Sequence, residues 1–189
     1  MQKVTFGLLL GLFACLGMAR PVSEGGGRAV TARFVRPARE LRWLTIQQAQ
    51  DSTKEQPRVI IMDIYTDWCY WCKVMEKNTY SNPELAAYMQ EKFYPVKFNA
   101  ESKSSILWKG QSFAFNEAYK VNDLALSLTH GQLSFPTMVI ITPDSHAPQF
   151  ISGYLKPAEI EPILKYFGEG AYKKESYKDF NRSFAASWK

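Results

Sequence analysis

The sequence is poor in cysteine and histidine, with three cysteines and two histidines in a chain of 189 residues. So few cysteines exclude a small secreted domain that depends on several disulfides for its fold. Charged residues make up 22% of the chain, beside 11 glycines and 10 prolines, which excludes a disordered, collagen-like or coiled-coil protein. Apolar residues make up 46% and aromatic residues 14%, which is enough for one domain with a packed core.

Long hydrophobic runs are also scarce. Residues 4–19 form a charge-free, mostly apolar run of 16 residues, short of the about 20 that a spanning helix needs. Lys3 precedes the run, and Gly17-Met18-Ala19 ends it in the small-x-small pattern that signal peptidase cleaves. We therefore predict a signal peptide at 1–19 and an exported protein, periplasmic or secreted. A lipoprotein signal at Cys15 and an uncleaved anchor remain alternatives.

The chain lacks a basic stripe with interleaved aromatic residues, which is the usual mark of a nucleic-acid-binding face. Its formal charge of +5 comes from two flanks. Residues 20–42 carry six arginines against two glutamates, and residues 171–189 carry five basic residues against two acidic ones. Residues 43–170 carry 11 basic and 14 acidic residues, so the central part is mildly acidic. We expect no nucleic-acid partner.

Composition and periodicity divide the remaining chain into three parts. Residues 20–40 lack periodicity and predict a flexible basic linker, whereas 41–170 predict a folded domain. Residues 171–189 predict a basic aromatic helix or tail, because their aromatic residues recur at near-helical intervals. Such a stripe is typical of a helix that packs on its own domain, and an interfacial membrane helix is the alternative.

Residues 41–170 alternate between helix and strand patterns, which predicts an α/β domain with a mixed sheet. Residues 59–65 form a nearly continuous apolar run, as in a strand buried on both faces, interrupted by Asp63. Pro162 predicts a kink or a late start for the closing helix. The other predicted elements are helices from about Ile46, Tyr70, Pro83 and Asp123, strands at 93–98, 137–141 and 149–152, and a hairpin at 106–115.

The motif Trp68-Cys69-Tyr70-Trp71-Cys72-Lys73 lies where the buried strand passes into a helix. Two intervening residues bring both cysteines to one helical face, close enough for a disulfide. Unpaired N–H groups at a helix N-terminus stabilise an anion, which favours the Cys69 thiolate as a nucleophile toward disulfides. Cys72, one turn deeper, is placed to attack the resulting mixed disulfide and release the product.

Three other interpretations of the cysteine pair remain open. A zinc site needs further ligands, and His130 and His146 are 16 residues apart, outside the usual short ligand spacing. A copper or other soft-metal carrier could use the two sulfurs alone. A structural disulfide would stabilise the fold weakly, because so short a loop constrains little of the unfolded chain.

The sequence resembles the thioredoxin family over roughly residues 43–170, and four separated features carry the resemblance. They are the WCxxCK motif at 68–73, Asp63 six residues before Cys69, Lys97 in the second strand, and Phe135-Pro136-Thr137. The resemblance implies a thioredoxin-like three-layer fold, with a central mixed β-sheet flanked by helices. It also implies that an inserted hairpin and helix, at about 102–134, precede a cis-proline loop.

The resemblance gives Asp63 and Lys97 catalytic roles beside Cys69 and Cys72. Burial would raise the pKa of Asp63, which could then take the proton of Cys72 through water, with Lys97 moderating the shift. A structural ion pair between Asp63 and Lys97 is the alternative. Pro136, if cis, would present the backbone of Phe135 to a substrate chain beside the sulfurs.

Trp68, Tyr70 and Trp71 surround the cysteines and could form an apolar contact surface for substrate, or simply pack on the surface. The familiar thioredoxins carry Gly-Pro, Gly-His or Pro-His where this chain has Tyr70-Trp71. A dipeptide without proline or histidine lacks their usual contribution to thiolate stability, which favours a reducing pair over an oxidising one. The insert could wall the site and select partners, or cap the sheet edge.

Taken together, these residues predict an exported thiol–disulfide oxidoreductase that exchanges disulfides with protein substrates and acts as a reductant. We expect a monomer, an upstream redox partner, and no cofactor or metal beyond the Cys69–Cys72 pair. Membrane contact is expected only through a signal or lipid anchor or through the tail. The alternative is a thioredoxin-like binding module or copper carrier without redox turnover.

Overall fold

The structure, a computed structural model, describes residues 40–144 and 147–189. The predicted signal peptide at 1–19, the lipoprotein alternative at Cys15, the linker up to residue 39, and His146 all lie outside these residues. Within the described ranges, no helix is both long enough and apolar enough to cross a membrane.

The described chain contains both helices and strands. A π-helical turn at Glu76–Tyr80 continues the second helix, and a 3₁₀ turn lies at Ala171–Lys173. In chain order the elements are α1 (Ile46–Glu55), β1 (Ile60–Tyr65), α2 (Tyr70–Met75), α3 (Pro83–Lys92), β2 (Tyr94–Asn99), β3 (Ile106–Trp108), β4 (Gln111–Phe113), β5 (Phe115–Asn116), β6 (Val121–Asn122), α4 (Asp123–Leu128), β7 (Thr137–Ile141), β8 (Gln149–Ser152), α5 (Pro157–Gly168) and α6 (Tyr177–Arg182).

The central sheet has the strand order β2-β1-β7-β8. β1 pairs with β2 in parallel, whereas β1 with β7 and β7 with β8 are antiparallel. The mixed sheet flanked by helices that the sequence predicted is thereby confirmed. The register places Asp63 of β1 between Lys97 of β2 and Met138 of β7, in the middle of the sheet.

β1 is buried on both faces, and its alternation divides the core in two. Ile60, Met62 and Ile64 pack on one face with residues of α1, α4 and the β3–β4 hairpin. Ile61 packs on the other face with residues of α2, α3 and α5. Because side chains alternate along a strand, Asp63 shares the face of Ile61 and points toward α2, α3 and α5 rather than toward α1.

Side-chain caps explain where two of the predicted helices begin. The Thr45 hydroxyl accepts the Gln48 N–H at 3.1 Å, and the Gln48 side chain accepts the Thr45 N–H at 2.9 Å. Before α3, the Asn82 side chain accepts the N–H groups of Glu84 and Leu85, with proline in the first helical position. Both starts agree with the sequence prediction.

The closing helix α5 differs from the prediction of a late start. It begins at Pro157, which occupies the first helical position, where a missing N–H is unimportant. Pro162 lies inside the same helix, where it removes one backbone hydrogen bond. The late start is therefore wrong, because burial of this helix face outweighs the single lost bond.

The segment between β2 and β7 contains the predicted hairpin and helix, and also the β5–β6 pair, which the sequence did not predict. The hairpin lies against α1, where the Gln50 side chain donates to the Leu107 carbonyl at 2.9 Å and accepts the Lys109 N–H at 2.8 Å. The buried Asn122 side chain donates to two loop carbonyls and caps α4. The segment thus covers the α1 face of the sheet.

The C-terminal aromatic residues contact α3 and α5. Trp188 is buried, with its ring centroid 5.5 Å from that of Tyr88 of α3. Phe180 lies 5.4 Å from Tyr166 of α5. The buried carboxylate of Glu161 accepts the Trp188 N–H at 2.7 Å, which holds the tail on the domain.

Candidate functional site

Cys69 and Cys72 lie just beyond the end of β1, where the chain turns into α2. The Cys69 N–H donates to the Thr66 carbonyl at 3.2 Å, which sets the turn. Cys69 is the N-cap residue of α2, and Cys72 lies in its first turn. Their sulfurs form a disulfide, with the Cα atoms 5.4 Å apart.

The helix start places a donor on one sulfur. The backbone N–H of Cys72 donates to the Cys69 sulfur at 3.0 Å. In the reduced pair, the same contact would stabilise a thiolate on Cys69, because a hydrogen bond to the charged form lowers the pKa of an acid. The contact therefore favours Cys69 over Cys72 as the attacking thiolate.

Around the sulfurs, aromatic side chains are exposed while the cysteines are not. The exposed fractions are 68% for Trp68, 69% for Tyr70 and 53% for Trp71, against 4% for Cys69 and 7% for Cys72. Large exposed aromatic groups clustered at one place are a usual mark of a contact surface. We call Trp68, Tyr70, Trp71 and the neighbouring Phe135 the aromatic rim.

The aromatic rim is held by ring contacts rather than left free. Trp68 meets Phe135 edge-on with centroids 5.9 Å apart, and its indole N–H donates to Glu101 at 3.0 Å. Trp71 stacks on Tyr154 at 5.6 Å. These contacts leave the outer faces of the rings available to a partner.

The loop before β7 completes the rim. The Phe135–Pro136 peptide bond is cis, and Pro136 is buried. The Pro136 carbonyl accepts the Gly153 N–H at 2.8 Å, which ties the loop to the segment after β8. Among the described residues, the backbone N–H and carbonyl of Phe135 have no hydrogen-bond partner, so they remain available to an incoming chain.

Behind the disulfide, Asp63 is 2% exposed, and its Oδ1 has no hydrogen-bond partner in the described part of the chain. Burial raises the pKa of Asp63 to about 6, while the Lys97 charge and the Tyr80 hydroxyl both lower it. The buried Tyr80 hydroxyl acts on the carboxyl without reaching a hydrogen bond of ordinary geometry. A carboxyl with such a pKa can exchange a proton near neutral pH.

Lys97 lies opposite Asp63 in the sheet, but its ammonium group points elsewhere. It donates to the carboxylate of Glu76, in the π-helical turn after α2. Its nitrogen lies 5.3 Å from the centroid of the Trp43 ring and 5.2 Å from that of Tyr65. In the described residues Lys97 forms its ion pair with Glu76 rather than with Asp63, although its charge still acts on the Asp63 carboxyl.

Glu76, Tyr80 and Trp43 are the residues of this site that the sequence reasoning missed. Glu76 follows Cys72 by four residues, a spacing that places two side chains on one helix face, and this signal could have identified it. Tyr80 and Trp43 had no such local signal.

A cavity of about 260 Å³ opens beside Cys72. Thr66, Glu76 and Lys97 also line it, so the cavity connects the resolving cysteine with the ion pair next to Asp63. A space of this size has room for water molecules, and although most of its lining is apolar, the Lys97–Glu76 pair supplies polar partners. It therefore offers a path for protons between solvent and the buried side of the pair.

Metal ligands are few near the pair. In residues 40–144 and 147–189, no three His, Cys, Asp or Glu side chains come together as a metal site. His130, one of the two histidines considered as zinc ligands, is exposed after the end of α4, with its ring 5.9 Å from that of Phe150.

Comparison with known proteins identifies a matching family model and a matching fold. A family model, Thioredox_DsbH, described as "Protein of unknown function, DUF255", matches residues 36–167. An uncharacterized protein of Caenorhabditis elegans is 26% identical over 100 residues, which are 53% of this chain and 12% of that protein. The thiol:disulfide interchange protein DsbD of Pseudomonas fluorescens is 40% identical over 40 residues, 21% of this chain and 7% of DsbD.

A solved structure named DsbH oxidoreductase matches with a TM-score of 0.51 and 18% identity, covering 73% of this chain and 92% of that chain. At this identity the similarity concerns the fold, and the predicted thioredoxin-like fold is confirmed. The chain spans only a small part of the curated relatives it matches, 12% and 7% of their lengths.

Proposed function

The chain belongs to the Thioredox_DsbH family, and from that premise we propose that it is an exported thiol–disulfide oxidoreductase that reduces disulfides of protein substrates. One observation carries the proposal. The Cys69–Cys72 disulfide lies at the start of a helix whose N–H group contacts the Cys69 sulfur, beside a buried acid. The hydrophobic run at 4–19, preceded by Lys3, supports export.

The exchange proceeds in two steps. The Cys69 thiolate attacks one sulfur of a substrate disulfide, a mixed disulfide forms, and the other substrate sulfur leaves as a thiolate. Cys72 then loses its proton and attacks the Cys69 sulfur, which releases the second substrate thiolate and forms the Cys69–Cys72 disulfide. The substrate gains two electrons and the pair loses two, so a thiol-containing upstream partner must reduce the pair again.

Asp63 takes the Cys72 proton in the second step. With a pKa of about 6, the carboxyl is mostly ionised at pH 7 and still basic enough to hold a proton briefly. We propose that the proton moves through water, for which the cavity beside Cys72 has room. The pair itself carries the electrons, so the reaction requires no organic cofactor.

Substrate binding uses the front of the site. An extended chain pairs with the free N–H and carbonyl of Phe135, as an added strand pairs with a sheet edge. Trp68, Tyr70 and Trp71 contribute apolar contact on either side of the sulfurs. The direction as a reductant rests on the Tyr70-Trp71 dipeptide, which offers no proline or histidine to favour the reduced pair.

Trapping of the mixed disulfide tests the proposal. Cys72→Ser keeps the nucleophile and removes the resolving thiol, so it should accumulate a dithiothreitol-sensitive adduct with a protein disulfide, seen on a non-reducing gel. Cys69→Ser is the matched control and should trap no adduct. The absence of an adduct with Cys72→Ser, together with disulfide reductase activity in Cys69→Ser, would contradict the assignment.

The reduction potential of the pair tests the direction. A value nearer to about −270 mV than to about −120 mV supports a reductant. Metal analysis of the same purified protein addresses the binding module, because stoichiometric Cu(I) or Zn(II) retention without disulfide exchange would replace the proposed function.

A further inference from the structure

The cation nearest to Asp63 in the sheet does not pair with it. Asp63 and Lys97 are register partners on adjacent parallel strands, yet the Lys97 ammonium binds Glu76. Asp63 Oδ1 meanwhile has no hydrogen-bond partner among the described residues. The Lys97 charge acts on the carboxyl only from a distance. The absence of a direct ion pair calls for a cause, since such a pair would offset much of the desolvation of the buried carboxyl.

Three groups hold the ammonium in place. Glu76 supplies the opposite charge, and the rings of Trp43 and Tyr65 lie 5.3 and 5.2 Å from the nitrogen. Trp43 is itself fixed by an edge-on contact with Tyr80 at 4.8 Å. The same Tyr80 carries the hydroxyl that acts on Asp63. Contacts through Trp43 and Tyr80 therefore link the position of the Lys97 ammonium to the groups that surround the Asp63 carboxyl.

We propose that Glu76 is a positioning residue for disulfide exchange: by binding the Lys97 ammonium, it keeps that cation from pairing with Asp63, which leaves Asp63 free to take the proton of Cys72. The inference rests on the proposed function. Glu76 acts through Lys97, and none of its hydrogen bonds within the described residues involves a cysteine sulfur.

The groups around Asp63 come from every neighbouring element. Lys97 faces it from β2, Tyr80 from the π-helical turn, and Tyr65 lies two residues along β1. Met138 of β7 is the uncharged register partner on the other side. Cys72 adds a titratable thiol on α2 when the pair is reduced. Of these groups, Lys97 is the cation, so its position controls the proton affinity of the Asp63 carboxyl.

Glu76→Gln tests the inference. The amide binds the ammonium more weakly, so Lys97 turns toward Asp63 and lowers the pH midpoint of the Asp63 carboxyl by about one unit. The midpoint is read by carbon NMR of the oxidised protein. The pH dependence of product release from the mixed disulfide should show the same displacement. Glu117→Gln, which removes an equal charge from an exposed ion pair in the insert, should displace neither.

The double variant distinguishes positioning from simple charge removal. Lys97→Met should raise the Asp63 midpoint, and Glu76→Gln should add nothing in the Lys97→Met background. An unchanged midpoint in Glu76→Gln, or an equal displacement with and without Lys97, overturns the inference.

The NMR titration needs no substrate, so the two proposals fail separately. If the midpoint moves as expected while the wild-type protein exchanges no disulfides, the proposed function is wrong and Glu76 controls only the charge state of Asp63. If disulfide exchange proceeds and its pH profile is the same in the wild-type protein and in Glu76→Gln, the positioning role is wrong.

Discussion

In front of the disulfide, Trp68, Tyr70 and Trp71 each expose more than half of their surface, whereas behind it Asp63 is 2% exposed. The front consists of rings with few hydrogen bonds. The back consists of charged and hydroxyl groups packed against Trp43 and the sheet. The four-residue segment from Cys69 to Cys72 separates these two environments.

The difference shows how one short motif serves two purposes. Exposed rings bind a partner through their contact area, and each ring contributes a share of the binding free energy. Removing one ring therefore weakens binding without changing the chemistry at the sulfurs. A buried carboxyl acts through its proton affinity, which depends on every nearby charge because water no longer screens them. Substitutions at the back should therefore change proton transfer and stability, and substitutions in front should change partner affinity.

The largest expected effect comes from removing the buried acid. Asp63→Asn keeps the shape of the side chain and cannot take a proton from Cys72. We expect release from the mixed disulfide at pH 7 to slow by about 10² to 10⁴-fold, the usual contribution of a positioned base. Stopped-flow measurement of each step checks this, and formation of the mixed disulfide should change by less than about twofold. Equal slowing of both steps would contradict a role of Asp63 that is specific to the resolving step.

The same substitution should stabilise the fold at neutral pH. Because the pKa of Asp63 is raised from 3.8 to about 6 on folding, its contribution to stability is fully present below about pH 4 and is lost as pH rises through 6. At pH 7 the ionised acid should cost about 3 kcal/mol, which Asp63→Asn recovers. Urea unfolding of the oxidised wild-type and Asp63→Asn proteins at pH 4 and pH 7 measures the difference in their free energies of unfolding. A stability difference that does not change with pH would contradict the raised pKa.

Much of this site could be predicted because its signals are local. The cysteine spacing, the acid six residues before Cys69 and the Phe135-Pro136 pair can each be recognised within a few positions of the chain. Lys97 was identified through the resemblance to thioredoxins, which places a lysine beside the buried acid. The α/β class followed from the same kind of pattern, because apolar runs and caps mark strands and helix starts.

The cation site could not be predicted because its partners meet through non-local structure. Trp43 reaches Lys97 because Leu44 forms a bridge with Val96 of β2, about fifty residues along the chain. Tyr80 reaches Asp63 through a π-helical turn, in which hydrogen bonds skip one residue more than in an α-helix and side chains change their facing. A regular helical pattern from Cys72 onward places that ring elsewhere.

Truncation of one front ring should give the smallest of these effects and the sharpest contrast with the back. Trp71→Ala removes a half-exposed ring stacked on Tyr154, and we expect kcat/KM for a protein disulfide to fall about tenfold, the loss typical of an aromatic contact residue. Tyr119→Ala, which removes an exposed ring in the insert, is the matched control and should leave kcat/KM unchanged. Reduction of a small aromatic disulfide should be unaffected in both, because such a substrate does not span the aromatic rim. Substitutions near Asp63 should shift the pH profile of release from the mixed disulfide. If Trp71→Ala shifts it as well, the two sides of the disulfide are coupled. The separation between partner contact in front and proton transfer behind is then wrong.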